Sequence, residues 1–328
     1  MQRRTFTAAT VATAATLAAP LLRAQTVQTV PTGPVRIVVG FAPGGGTDIL
    51  ARVVGQKLAT MWNVTVLVEN KAGASGVIAA DYVAKQPADG NTLLMAHINS
   101  HAIAPALIAK MNYNAVTDFS PISMVGITPN LLICNEKQSA RTVKDVVELC
   151  KKNPGQISFG SAGNGSAQHL ALEMFKLAAG IDALHVPYKG SGPMLTDLIG
   201  GQINYSFDTM TAATPHVKSG KAIAVAQTRA KRAKSYPNVP TMIESGFPNF
   251  EATTWYGLVG PAKMPAAMVK RMNEDINKVL LLPDVMERFE QYGAEDGGGT
   301  PEKFASFIQT ESVKWAKVVK EAGVKAEG

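Results

Sequence analysis

Cysteine is nearly absent: 328 residues contain only Cys134 and Cys150. Two cysteines placed this way make neither a zinc site nor a redox motif. Cys134 closes the apolar run Leu131–Ile133, and Cys150 closes the helical pattern Val146–Leu149. A disulfide between them in an oxidising compartment stays open, because sequence does not give their Cα separation. Aromatic residues are also scarce, at 6%, while glycine and alanine abound, a profile that suits α/β layers better than an all-β barrel. Low-complexity tracts are missing, so composition gives no sign of disorder. Beyond the first residues no apolar run is long enough to cross a bilayer. A nucleic-acid footprint is lacking too. The densest basic run, Arg229 to Lys234, has no aromatics between its charges and reads as a solvated surface turn.

What is present begins with a leader. Arg3-Arg4 and Phe6 form a basic start, Ala8 to Leu22 is an uncharged Ala/Thr/Leu-rich run, and Leu22-Arg23-Ala24 offers a small residue for cleavage before Gln25. Residues 1–24 are therefore expected to be an export signal, of the general secretory or the twin-arginine type. Its removal takes three arginines and no acid, which lowers the formal charge from +7 to +4. A mild positive balance helps to attract an anionic solute.

The remaining chain alternates strand and helix patterns. Val35–Val39, Val64–Val68 and Thr92–Ala96 read as strands, with helices at Ile49–Trp62 and Ser75–Lys85 between them. That order implies a parallel sheet with right-handed crossovers. After Pro129 the pattern restarts with strands at Leu131–Cys134, Ile157–Gly160, Leu184–Val186, Tyr205–Phe207 and Ala222–Ala226. Helices at Thr142–Lys152, Gly165–Ala179 and Pro193–Ile199 separate the first four of these. Thr254–Val259 is a further strand-like run, followed by amphipathic helices, the last opened by Thr300 and Pro301. Those helices lack partners of their own, so they are expected to pack back on the first unit. The expected organisation is a discontinuous lobe of residues 30–128 plus 250–328 and a second lobe of residues 129–249, an α/β protein in two lobes.

The stretch with most chemistry is Phe41-Ala42-Pro43-Gly44-Gly45-Gly46-Thr47-Asp48. Successive glycines let backbone approach a ligand, and the following helix offers free amides and a dipole that favours an anion. Gly-Lys-Ser/Thr does not follow, so this is not a phosphate loop, and the spaced third glycine of a dinucleotide fingerprint is missing. Asp48 would repel an anion; its side chain is expected to turn away or to orient a water. A second strand-to-helix turn holds Ser161, Ala162, Gly163, Gly165, Ser166 and His169. A serine nucleophile with His169 as base is the enzymatic alternative, but the Gly-x-Ser-x-Gly elbow is missing. Asn99, Ser100, Lys189 and Asp208 follow strands and are further ligand candidates. His97 and His101 lack an acidic third partner for a metal. Neither a cofactor nor a metal is expected.

Seven segments together resemble one family. They are the leader, Phe41–Asp48, Asn70–Gly76, Tyr188-Lys189-Gly190, Leu198–Ile203, Pro237–Thr241 and Trp255-Tyr256-Gly257. The set is similar to the substrate-binding proteins of tripartite tricarboxylate transporters, the Bug family. Resemblance implies a type II periplasmic-binding-protein fold with a ligand cleft between two lobes. It implies a carboxylate held by backbone groups and water: a dicarboxylate or tricarboxylate, an amino acid or an aromatic acid. It also implies a periplasmic, non-catalytic protein, monomeric, that serves a two-subunit membrane permease or a sensor. The turns at Phe41–Asp48 and Ser161–Ser166 match the family's ligand-facing loops, and Asp208 matches a position that contacts the variable part of the solute. Ser191-Gly192 departs from the Gly-Ala that family members often carry.

Overall fold

The structure, a computed structural model, describes residues 29–324. The export leader expected at residues 1–24 lies outside the described residues. In chain order the first elements are β1 (Val35–Val39), α1 (Gly46–Trp62), β2 (Val66–Asn70), a tight turn at Ala74–Gly76, α2 (Val77–Ala84) and β3 (Thr92–His97). A π-helical turn at Asn99–Ile103 and the short α3 (Ala104–Leu107) lead to the long β4 (Phe119–Asn135). Next come α4 (Val143–Lys152), β5 (Ser158–Ser161), α5 (Ala167–Ala179), β6 (Leu184–Pro187), α6 (Ser191–Gly200), β7 (Tyr205–Thr209), α7 (Met210–Lys218) and β8 (Ala222–Gln227). The chain ends with β9 (Thr253–Pro261), α8 (Ala266–Leu280), α9 (Pro283–Gln291) and α10 (Pro301–Ala322).

Strands run β2-β1-β3-β9-β4-β7-β5-β6 across one continuous path, with β8 also paired to β4. In the first lobe β1 is parallel to both β2 and β3, as a βαβαβ order requires. In the second lobe β5 is parallel to β6 and β7. Alternation along β1 explains the layering. Val35, Ile37 and Val39 pack with Leu50, Val54 and Leu58 of α1, whereas Val38 faces Ala79, Ala80 and Val83 of α2. Successive strand side chains point to opposite faces, so a sheet covered on both sides is apolar at every position.

One strand joins the lobes. The first part of β4 pairs with β9, from Phe119 opposite Pro261 to Pro129 opposite Thr253. From Asn130 onward its partners are β7 and β8. The strand expected at Leu131–Cys134 therefore begins twelve residues earlier, at Phe119. Pro121 and Gly126 break the apolar pattern there. They sit where the register slips, and bulges of this kind tolerate residues that an ordinary central strand excludes. The return crossing enters β9 near Ala252, and the two crossings are tied together by polar groups. Asn130 Nδ2 donates to the Ala252 carbonyl at 3.0 Å, and Thr228 Oγ1 donates to the same oxygen at 2.6 Å.

α10 carries Phe304, Ile308, Trp315 and Val319 into the core built on β3, and Ala167 and Leu170 of α5 join the same cluster. Cys134 and Cys150 are buried, unpaired thiols in the second lobe's core, and burial pushes each up to about 11. The basic run at Arg229–Lys234 is an irregular surface segment in which Lys231, Arg232 and Lys234 are exposed, and two of its arginines form ion pairs. Arg229 reaches both Glu295 at 2.5 Å and Asp296 at 2.7 Å on the first lobe, and Arg232 holds Glu244 at 2.8 Å.

Candidate functional site

The cleft is the seam where loops of the two lobes meet. Its first wall is the turn between β1 and α1. Gly44 takes a left-handed φ of +85°, and α1 then starts at Gly46, three residues before the apolar periodicity signals it. Amides in the first turn of a helix have no carbonyl four residues behind them. At Gly46 a side chain is excluded, because a Cβ would lie 2.5 Å from Tyr256 Oη and 2.8 Å from Thr209 Oγ1.

Asp48 does not face the cleft. Its Oδ2 accepts from the Gly44 amide at 3.1 Å and from Arg52 Nε at 3.0 Å. Its Oδ1 accepts from Arg52 Nη2 at 2.8 Å and Asn70 Nδ2 at 2.9 Å. Asn70 Nδ2 also donates to the Phe41 carbonyl at 3.0 Å. Burial opposes the charged form, but the bonds from Arg52, Asn70 and Gly44 outweigh it and hold the carboxyl below its ordinary range. Asp48 is thus a brace that fixes the turn, and its charge is spent on Arg52.

The facing wall is the turn between β5 and α5. Ser166 caps α5, its Oγ accepting from the His169 amide at 3.2 Å. His169 Nδ1 accepts from the Gly165 amide at 3.1 Å, and its ring stacks on His185 at 3.8 Å between centroids. Ser166 and His169 are therefore not arranged as nucleophile and base. Ser161 does touch a histidine, since its Oγ lies 2.6 Å from His185 Nε2, yet that hydroxyl is fully buried and also accepts from the Gly163 amide. Burial, with the neighbouring His169, pushes His185 down to about 3. These groups fasten the second turn.

The lobes are closed on each other. The Ala42 amide donates to the Lys189 carbonyl at 3.1 Å, Ser75 Oγ to the Asn164 carbonyl at 2.7 Å, and the Ala167 amide to Asn99 Oδ1 at 2.9 Å. A Cβ on Gly192 would collide with the Pro43 carbonyl.

Two spaces remain in the seam. The inner one, about 10 Å³, is lined by Phe41, Gly45, Gly46, Thr47, His97, Ala162, Gln168, Ser191, Thr209 and Tyr256. That is room for about one water. The outer one, about 460 Å³, takes Phe41, Ala104, Leu107, Ile108, Ala162, Pro187 and Tyr188 as largely apolar walls, with Ser75, Gly163, Asn164, Gly165 and Lys189 among them. Phe41 and Ala162 separate the two.

Gln168 Oε1 and Tyr256 Oη, which line the inner space, are buried polar atoms without hydrogen-bond partners, and so is Asp208 Oδ2, whose carboxyl is bonded to Ser191 and Thr209 of that lining. Buried polar groups are satisfied in the great majority of cases, so such a convergence marks a place for a polar guest. His97 stands between Phe41 and Tyr256, with ring centroids 4.8 and 5.2 Å away. Burial, helped by His101, pushes His97 down to about 3, and burial does the same for His101.

Of the sequence candidates, Phe41, Gly45, Gly46, Thr47, Ala162, Gly163, Gly165 and Lys189 line the two spaces, Asp208 bonds Ser191 and Thr209 of the inner one's lining, and Asn99 accepts from the Ala167 amide across the seam. Ala42, Pro43 and Gly44 form the lobe-to-lobe contact and its turn. Ser100 instead bonds the His97 carbonyl and His101, at 3.1 and 2.9 Å, inside the first lobe. Ser161, Ser166, His169 and Asp48 support the turns from behind. Sequence reasoning missed Gln168, Ser191, Thr209 and Tyr256 as lining residues. Each stands beside a residue or motif already singled out, and that adjacency was the available signal. Among the described residues no group of three or more His, Cys, Asp or Glu is placed to hold a metal, and no helix is long and apolar enough to cross a membrane.

Two α/β lobes joined by crossing strands, with a polar pocket sealed between them, define a solute receptor of the periplasmic-binding-protein kind. The chain belongs to the tripartite tricarboxylate transporter family receptors, whose sequence pattern it matches over residues 50–324. That family and fold are solute-binding, not catalytic. The chain is 37% identical to Protein BugT of Bordetella pertussis over 301 residues, which is 92% of each chain. Its fold matches Rpa4515 of R. palustris, solved with adipate, at a TM-score of 0.87 and 34% identity, covering 90% of this chain and 99% of that one. It matches MatC from Rhodopseudomonas palustris, solved with bound malate, at 0.83 and 30% identity, covering 88% and 99%.

Proposed function

We propose that this protein is a periplasmic receptor that captures a small carboxylate between its lobes and hands it to a two-subunit membrane permease or a sensor. The carrying observation is the pairing of unlike spaces in one seam. Unpartnered polar atoms and the α1 N-terminus surround the inner space, while the outer one is mostly apolar. A carboxylate head suits the first, since helix amides and neutral donors stabilise an anion without a cationic partner. An aliphatic or aromatic body suits the second. Lys189 at the outer cavity can meet a second carboxylate, which extends the range to dicarboxylates. Adipate in Rpa4515 and malate in MatC support that range. Admission of a solute requires the bonds at Lys189, Asn164 and Asn99 to open and re-form around it. The leader at residues 1–24 would carry the chain across the inner membrane, and one chain suffices for the site.

Calorimetry with adipate, malate, benzoate and citrate tests this reading on protein unfolded and refolded to remove bound solute. Saturable one-to-one binding is expected for acids with one apolar body, and weaker binding for branched citrate. Failure of every acid to bind would overturn the reading. Mass spectrometry of small molecules released from the purified protein identifies the natural solute.

A further inference from the structure

Asp208 is the penultimate residue of β7, bonded to Ser191 and Thr209 of the inner space's lining, and is fully buried. Its two oxygens differ. Oδ1 accepts from Ser191 Oγ at 2.5 Å and from the Thr209 amide at 2.8 Å. Oδ2 is buried without a partner. Because two donors hold Oδ1 as an acceptor, a proton on this carboxyl resides on Oδ2; Gln168 and Tyr256, both of which line the inner space, lie within interaction range of the carboxyl.

The groups packed around Asp208 do not supply a counter-charge. α5 contributes Gln168, α6 contributes Ser191, and Thr209 and Thr211 come from the start of α7. On the sheet, Leu131 of β4 pairs opposite it, and β5 offers Gly160 beside Ser206. The titratable groups that face it from the first lobe are Tyr256 on β9 and, against that ring, His97 on β3. Burial holds the Tyr256 phenol far above its ordinary range and His97 neutral. Arg52 is committed to Asp48. Burial accordingly pushes Asp208 up to about 7, against Ser191, Thr209 and Gln168, which favour its charged form.

An ionised Asp208 beside a bound carboxylate would place two like charges in a dry site, whereas a neutral one donates a short, charge-assisted bond. We propose that Asp208 takes up one proton from solvent as the cleft closes on a carboxylate, and that its Oδ2–H then donates to a carboxylate oxygen of the solute. Capture of the anion is thereby coupled to capture of a proton. The proposal rests on the carboxylate-receptor reading above. No other bond breaks: the proton leaves water, and the solute enters ionised.

The sign follows from linkage. Opening of the cleft would admit water to Asp208 and relieve the burial that raises it, and closure would restore that upward shift. Affinity is greatest at low pH and falls as pH rises through the closed-state value, by up to about tenfold per pH unit.

Calorimetry of the full mature protein with malate and benzoate between pH 6.5 and 8.5, in buffers of different ionisation enthalpy, tests it. Both probes are ionised throughout. Binding roughly three- to tenfold tighter at pH 6.5 than at pH 7.5, with close to one proton taken up per solute at the lower pH, is expected. D208N should lose both the slope and the proton uptake. Wild-type binding that is flat with pH and takes up no proton would overturn the proposal while leaving the receptor reading intact. So would a slope that persists in D208N. Binding of neither acid at any pH, together with failure of adipate and citrate, removes the receptor reading itself. Should D208N not fold, the wild-type proton count decides alone.

Discussion

The turn Phe41–Asp48 in the first lobe and the turn Gly160–His169 in the second both run from a parallel strand through glycines into a helix. Their bracing differs. Asp48, Arg52 and Asn70 hold the first from behind, leaving Gly45, Gly46 and Thr47 against the inner space. The second is fastened by Ser161, Ser166 and the stacked His169 and His185, and the amide at the start of its helix is already taken by Asn99 of the first lobe. Each turn gives one amide to the opposite lobe, Ala42 in the first and Ala167 in the second, but only in the second is that amide the one at the helix start. Similar local sequence thus supports two tasks, anion reception and latching, according to what the opposite lobe presents.

This contrast can be broken from either side. The largest effect is expected for Asp48→Ala, which strips Gly44, Arg52 and Asn70 of their common acceptor. A stability loss of about 2 kcal/mol or more in denaturant titration should accompany a loss of solute binding beyond tenfold. The same carboxylate predicts a pH effect. Its folded-state value is lowered, so its stabilisation is complete above the ordinary carboxylate value of 3.8 and is lost as pH falls below that. Acid unfolding of the Asp48→Ala protein should therefore be less steep there than that of the wild type.

Gly46→Ala comes next. Its methyl group would intrude on Tyr256 and Thr209 across the inner space, and calorimetry should show binding about tenfold weaker. If affinity were unchanged, the inner space would not be the seat of the carboxylate. Asn99→Ala removes the acceptor for the Ala167 amide. Scattering should show a more open apo protein, and affinity should drop about fivefold, matching a bond worth about 1 kcal/mol. Ser166→Ala is the smallest. Loss of a helix cap costs about 1 kcal/mol of stability, while affinity should stay within about twofold because that hydroxyl faces His169, not the cleft. A large binding loss in Ser166→Ala would erase the distinction between the two turns.

Strand and helix types were largely legible because each has its own apolar period, and a sheet covered on both faces writes it strongly. The caps at Thr142 and Thr300 are carried by three or four adjacent residues, and each bonds an amide of its first turn, whereas Ser166, read as a ligand hydroxyl, turns out to cap α5. Less could be read where contacts are distant. β4 hid its first half behind Pro121 and Gly126, whose places are tolerated because β4 itself bulges against β9 there. Tyr256 and Gln168 are marked only by standing in or beside motifs singled out for other reasons; one is a strand aromatic, the other a helix amide, and they meet through the closure of two lobes.

The sequence alone determined the α/β alternation, the two glycine turns and the family resemblance, because all three are patterns of near neighbours or of ordered segments. Tertiary structure alone decided that Asp48 belongs to Arg52, that Asn99 latches the opposite helix, and that Asp208 keeps one oxygen buried and unpartnered. Those outcomes depend on which groups meet across long stretches of chain, and on the exclusion of water where they meet, which gives a polar atom without a partner its energetic weight.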